Sequence, residues 1–132
     1  MLFEPYITQP YRLYAQNSPK NLAMKKTRIA IVGLGMAVTP HAKSALDLAD
    51  WVEVAYAYSP SAQRRAKFAE KFPFPQCDKL ETILDDSSID AVAVLTPPNT
   101  HLGIVKRCAV AGKHVLLEKP LEIATARAEE MV

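Results

Sequence analysis

The feature that most constrains this chain is the run Ile29-Ala30-Ile31-Val32, which passes straight into Gly33-Leu34-Gly35. Four apolar residues in a row, with no polar alternation, suit a strand buried on both faces, as in a parallel sheet covered by helices. Gly33 ends the run, and residues 37–48 then take helical spacing. A strand that opens into a helix through glycines is a unit with a defined physical use. A backbone without side chains can approach an anion closely, and the first N–H groups of the helix face it.

The same alternation continues to the end of the chain. The pattern predicts strands at 52–57, weakly at 76–77, at 91–95 and at 114–117, and helices at 61–71, 80–84 and 100–111. Pro73 and Pro75 stop the second helix, and Gly112 ends the helix before the last strand. Strands and helices alternating at this spacing imply right-handed crossovers and helices on both faces, so the fold class is a doubly wound α/β parallel sheet. Residues 1–27 lack a sustained apolar period and contain Pro5, Pro10 and Pro19, so they are expected to be an irregular leader ahead of a domain at 28–132. Met24-Lys25-Lys26 offers an alternative start just before the first strand.

The bulk numbers narrow the partners. A hydrophobic fraction of 49% in 132 residues supports a buried core, and sixteen basic against fourteen acidic side chains leave a formal charge of only +2. That balance argues against nucleic acid or an anionic membrane and for a small molecule; a homo-oligomer is compatible with it. Cys77 and Cys108 lie far apart with no CxxC and no histidine pair, which excludes a disulfide framework and a metal site and suits buried thiols in the cytoplasm. The chain shows neither an apolar run of the roughly 18 residues needed to cross a membrane nor a signal peptide.

Candidate binding residues follow from the carboxyl edge of such a sheet, where doubly wound folds hold their ligands. The turn Gly33-Leu34-Gly35-Met36-Ala37 would cradle a pyrophosphate. The dinucleotide fingerprint calls for a third glycine or alanine where Val38 stands, so the helix is expected to be slightly displaced or compensated by Ala37. The end of the second strand would carry an acid for a free ribose hydroxyl, but reads Tyr58-Ser59-Pro60-Ser61. Glu53 lies about 20 Å away at strand spacing. Ser59, Ser61, Arg64 and Arg65 instead suit an added 2′-phosphate, which favours NADP over NAD. The loop Thr96-Pro97-Pro98-Asn99-Thr100-His101 and the segment Glu118-Lys119-Pro120 converge on the same edge. His101 is read as orienting its loop, and His41 and His114 as packing or surface residues without a metal role.

With these segments in view, the chain resembles the Gfo/Idh/MocA oxidoreductases through Gly33-Leu34-Gly35, Thr96 to His101, Ala111-Gly112-Lys113-His114-Val115 and Glu118-Lys119-Pro120-Leu121. The resemblance runs from about Arg28 to Val132. It implies a Rossmann domain binding a nicotinamide dinucleotide, with Thr96, Pro97, Asn99, His101 and Glu118 near the cofactor. It also implies that Lys119 lies beside the nicotinamide, where it would stabilise charge on a sugar or polyol oxygen during hydride transfer. Family members continue into a second α/β domain that forms the substrate pocket, so this chain is expected to stop at a helix starting near Leu121 and to bind cofactor with little turnover. A non-catalytic cofactor-binding module and a decayed fragment are the alternatives to a dehydrogenase portion.

Overall fold

The structure is a computed structural model and describes residues 25–132; the expected leader, up to residue 24, and the alternative start at Met24 lie outside the described residues. Strand β1, Thr27–Val32, leads through the glycine turn into helix α1, Val38–Asp47. Then follow β2, Val52–Tyr58, α2, Ala62–Ala69, the short β3, Gln76–Cys77, and α3, Leu80–Leu84. Strand β4, Ala91–Val94, runs by a 3-10 turn, Pro98–Thr100, into α4, His101–Val110, and β5, His114–Leu117, precedes α5, Thr125–Met131.

The five strands are parallel in the order β3-β2-β1-β4-β5. The order in which strands are added therefore reverses between β1 and β4, which opens a crevice at their carboxyl ends. Each face of the sheet has its own core. Ile31, Val54 and Ala57 pack with Leu34, Val38, Ala42, Phe68 and Phe72 on the α1–α2 side, while Ala30, Val32, Val92 and Val94 pack with Leu80, Ile83 and Cys108 on the α3–α4 side. The alternation of β1 residues between the two clusters is the strand period itself.

Val38 sits inside the first core at 5% exposure, so its branched side chain is packed into the helix–sheet interface rather than crowding the turn. The close approach falls to the small Ala42, which is fully buried one turn later. Glu53 lies at the opposite edge, paired with Arg28, whose amide also bonds Asp90 at 2.8 Å. The last helix begins at Thr125, not near Leu121, because residues up to Ala124 stay extended or bent and hydrogen bonds from the Glu118 arm and His101 organise them instead. Lys113, part of the Ala111–Val115 motif, is buried, its ammonium donating to the carbonyls of Ile89 and Asp86.

Candidate functional site

One row of main-chain hydrogen bonds aligns the carboxyl ends of the strands. Gly33 donates to the Tyr58 carbonyl at 3.0 Å, Leu95 to Val32 at 2.8 Å, and Glu118 to Val94 at 3.0 Å. The segments named from sequence thus emerge side by side: the glycine turn, Tyr58–Ser61, Thr96–His101 and Glu118–Pro120.

The two glycines of the turn do different work. Gly33 has φ of +105°, and a Cβ there would stand 2.9 Å from the Leu95 carbonyl carbon and the Thr96 nitrogen, so glycine is required by the fold. Gly35 has no such backbone demand. A Cβ at Gly35 would meet only the Arg64 guanidinium, at 4.0 Å. The space in front of Gly35 is open, beside a helix whose N-cap residue, Ala37, supplies no side-chain cap and whose first turn holds no acid. None of the amides of Leu34, Gly35, Met36 and Ala37 meets a main-chain acceptor among the described residues. Unsatisfied amides at an uncapped helix start are the donors an anion takes.

A cavity of about 350 Å³ opens beside the turn between α1 and α2. Gly35, Met36 and Thr39 form one wall, Arg64, Lys67 and Lys71 the other, over a floor that includes Phe68 and Phe72. None of the three cations is in an ion pair among the described residues. The neighbouring loop is already organised. Ser59 is buried and its hydroxyl accepts from the Ser61 amide at 3.2 Å, while the Ser61 hydroxyl caps α2 by accepting from the Arg64 amide at 3.3 Å. Arg65 is turned inward onto the Ser59 carbonyl at 2.6 Å, so of the two arginines Arg64 is the one directed at the cavity. Lys67 and Lys71 escaped notice in the sequence; their spacing from Arg64 on one helix face was the available signal.

The other side of the crevice is built from polar contacts. The Thr100 hydroxyl lies 2.7 Å from both the Thr96 hydroxyl and the Pro97 carbonyl, which draws the loop into its 3-10 turn. His101 is fully buried, with Nε2 2.8 Å from the Thr96 carbonyl and Nδ1 3.0 Å from the Leu121 carbonyl. Both ring nitrogens face carbonyl oxygens, and the ring has one N–H to donate when neutral and two as the imidazolium, so His101 sits as the anchor between two loops. Asn99 and Lys119 are exposed at the mouth. Glu118 is held twice: one carboxylate oxygen lies 2.8 Å from His41 Nε2, and the other accepts the Lys119 amide at 3.0 Å. The His41 hydrogen bond, followed by the Lys119 amide, keeps the Glu118 carboxyl below the ordinary glutamate range. The sequence reading of His41 as a packing or surface residue missed this contact, because its partner lies 77 positions away. His114 is exposed, and no cluster of metal-ligating side chains occurs among the described residues.

The family described as "Oxidoreductase family, NAD-binding Rossmann fold" matches residues 27–132. Myo-inositol 2-dehydrogenase of Thermotoga maritima is 35% identical over 107 residues, covering 80% of this chain and 31% of the relative. A 3-ketoreductase of Actinomadura kijaniata, solved with NADP and TDP-benzene, superposes with a TM-score of 0.70 at 30% identity, over 81% of this chain and 33% of that one. Scyllo-inositol dehydrogenase of Lactobacillus casei, solved with NAD(H) and scyllo-inositol, gives a TM-score of 0.71 at 25% identity, over 81% and 32%. The chain spans about a third of the length of these relatives. Among the described residues no helix is long and apolar enough to cross a membrane. With its glycine turn, its switch-point crevice and a family match across all but its first 26 residues, this chain belongs to the Gfo/Idh/MocA oxidoreductases through their NAD-binding Rossmann fold.

Proposed function

We propose that residues 28–132 form the cofactor-holding portion of an oxidoreductase that moves hydride between a nicotinamide dinucleotide and a CH–OH group of a sugar, polyol or related compound. The observation that carries this reading is the opening at Gly35, where a Cβ would fill empty space at a helix start whose preceding amides meet no main-chain acceptor among the described residues. The dinucleotide, when bound, supplies the hydride acceptor or donor. Leu34, Gly35, Met36 and Ala37 offer main-chain donors to its pyrophosphate, and Thr96, Pro97 and Asn99 border its nicotinamide half. Lys119 extends from the Glu118 arm, where its ammonium would stabilise charge on the substrate oxygen. Holding a substrate carbon about 3 to 3.5 Å from the nicotinamide needs groups on the far side of the crevice, so residues 28–132 supply the cofactor half of that geometry.

The cofactor we favour is NADP. Three cations in no ion pair among the described residues, Arg64, Lys67 and Lys71, border the cavity beside Ser61, and β2 runs on into Ser59-Pro60-Ser61 with no acid. A 2′-phosphate would meet opposite charge there, whereas a free 2′-hydroxyl would lack the carboxylate that ordinarily closes the second strand. The cytoplasm suits the two free thiols, Cys77 and Cys108, both pushed up in pKa by burial and so kept in the unreactive protonated form. Titration of the full chain with NADPH and NADH, followed by nicotinamide fluorescence, tests the proposal. Saturable binding with NADPH the tighter ligand is expected. No saturable binding of either would refute cofactor holding, and NADH binding at least as tightly as NADPH would refute the 2′-phosphate assignment.

A further inference from the structure

The Glu118 arm leaves the sheet two strands away from β1, about 10 Å at ordinary strand spacing. Beyond Glu118 it packs little: Lys119, Pro120, Leu121 and Ile123 are all exposed. Side-chain contacts hold it instead. His101 grips the Leu121 carbonyl from α4, Glu122 accepts the Leu102 amide, and His41 grips Glu118 from α1. Only the last of these reaches across the crevice, since α1 is the helix that begins at the glycine turn. The carboxylate passes the connection on, because its second oxygen accepts the amide of Lys119 itself.

We infer that His41 is a positioning residue: through Glu118 it ties the Lys119 arm to the pyrophosphate helix, so that the two ends of the dinucleotide site are held in one geometry. The inference rests on the cofactor reading above. The His41–Glu118 pair is roughly a quarter to a third exposed, at 32% and 25%, so its contribution to global stability is small. Its effect lies in the arm. Without it, the amide of Lys119 still has its carboxylate, but the carboxylate has no fixed point on α1, and the segment is left hanging from its α4 contacts. A ligand that touches only the glycine turn and the ribose loop is indifferent to this change. A ligand that extends to the nicotinamide must then order the arm on binding.

The test compares two ligands on the full chain: NADPH, and 2′-phospho-ADP-ribose, which lacks the nicotinamide. His41→Ala is expected to weaken NADPH about fivefold, the scale of one ordinary hydrogen bond, while 2′-phospho-ADP-ribose stays within about twofold. His41→Gln, which restores an N–H donor toward Glu118, is expected to recover most of the NADPH affinity, and both variants should melt within a few degrees of the wild type. An equal loss for both ligands would overturn the inference, because His41 would then act on the phosphate helix alone. Unchanged NADPH affinity in His41→Ala would overturn it too, as would a loss that glutamine does not recover. Wild-type protein that binds neither ligand would instead refute the cofactor reading beneath it, so the two failures are distinguishable.

Discussion

The glycine turn and the Glu118 arm face each other across one crevice, yet different forces hold them. At the turn, Gly33 is pressed against the backbone of Leu95 and Thr96, Leu34 and Val38 are buried, and the geometry comes from close packing. At the arm, Leu116, Leu121 and Ile123 are exposed and the geometry comes from hydrogen bonds made by His41, His101 and Glu122. Packed backbone cannot shift by small steps, because every displacement meets atoms. Hydrogen-bonded arms can open locally at modest cost. The turn thus suits the invariant part of a ligand, and the arm the part where a reacting group must approach and leave.

The contrast predicts unequal responses to substitution. Gly33→Ala forces a side chain into a left-handed backbone against two main-chain atoms, and should destabilise the fold by about 3–5 kcal/mol, read by urea unfolding. A smaller loss would mean that the turn yields and is not set by packing. Gly35→Val should leave the melting temperature near wild type and reduce NADPH affinity by about a hundredfold or more, since the valine fills space that only a ligand needs. Loss of fold in this variant would erase the distinction between the two glycines. His101→Ala removes the buried ring that bridges the Thr96 and Leu121 carbonyls and should cost about 2 kcal/mol, with protease cleavage appearing first in the 118–124 segment.

Two gentler effects concern the arm alone. Lys119→Ala should change NADPH affinity by less than about threefold, because an exposed ammonium contributes little to ground-state binding. Acid should loosen the arm before the turn. Glu118 and Glu122 have folded pKa values below the ordinary glutamate value of about 4.3, so their contributions are fully present above that pH and are lost as pH falls through their lower folded values. Amide NMR shifts at Lys119 and Ile123 should therefore move in this range while those at Ile31 and Val32 hold still. Simultaneous movement of both sets would indicate one cooperative unit.

Much of this arrangement was legible in the sequence, and the exceptions have physical reasons. Every predicted strand is present, and for β1 and β4 the reason is that a strand buried on both faces writes itself as a continuous apolar run. The start of α5 was read too early, since no capping signal marks the 121–124 stretch, and tertiary hydrogen bonds shape it. Val38 looked like a defect in a fingerprint, but the core absorbs its side chain. Arg64 and Arg65 are indistinguishable as letters, and only the Ser59 carbonyl decides which of them turns inward. His41 stayed hidden because a histidine's partner across 77 residues leaves no local pattern.

By itself, then, the order of residues determined the alternation of strand and helix, the parallel sheet and the glycine turn between β1 and α1, since each depends on local period and backbone freedom. Tertiary structure alone decided which glycine the packing requires and which it leaves open, which arginine faces the cavity, and that α1 is joined to the Glu118 arm. Those depend on distances between segments remote in the chain, and such distances exist only once the sheet has brought the segments together.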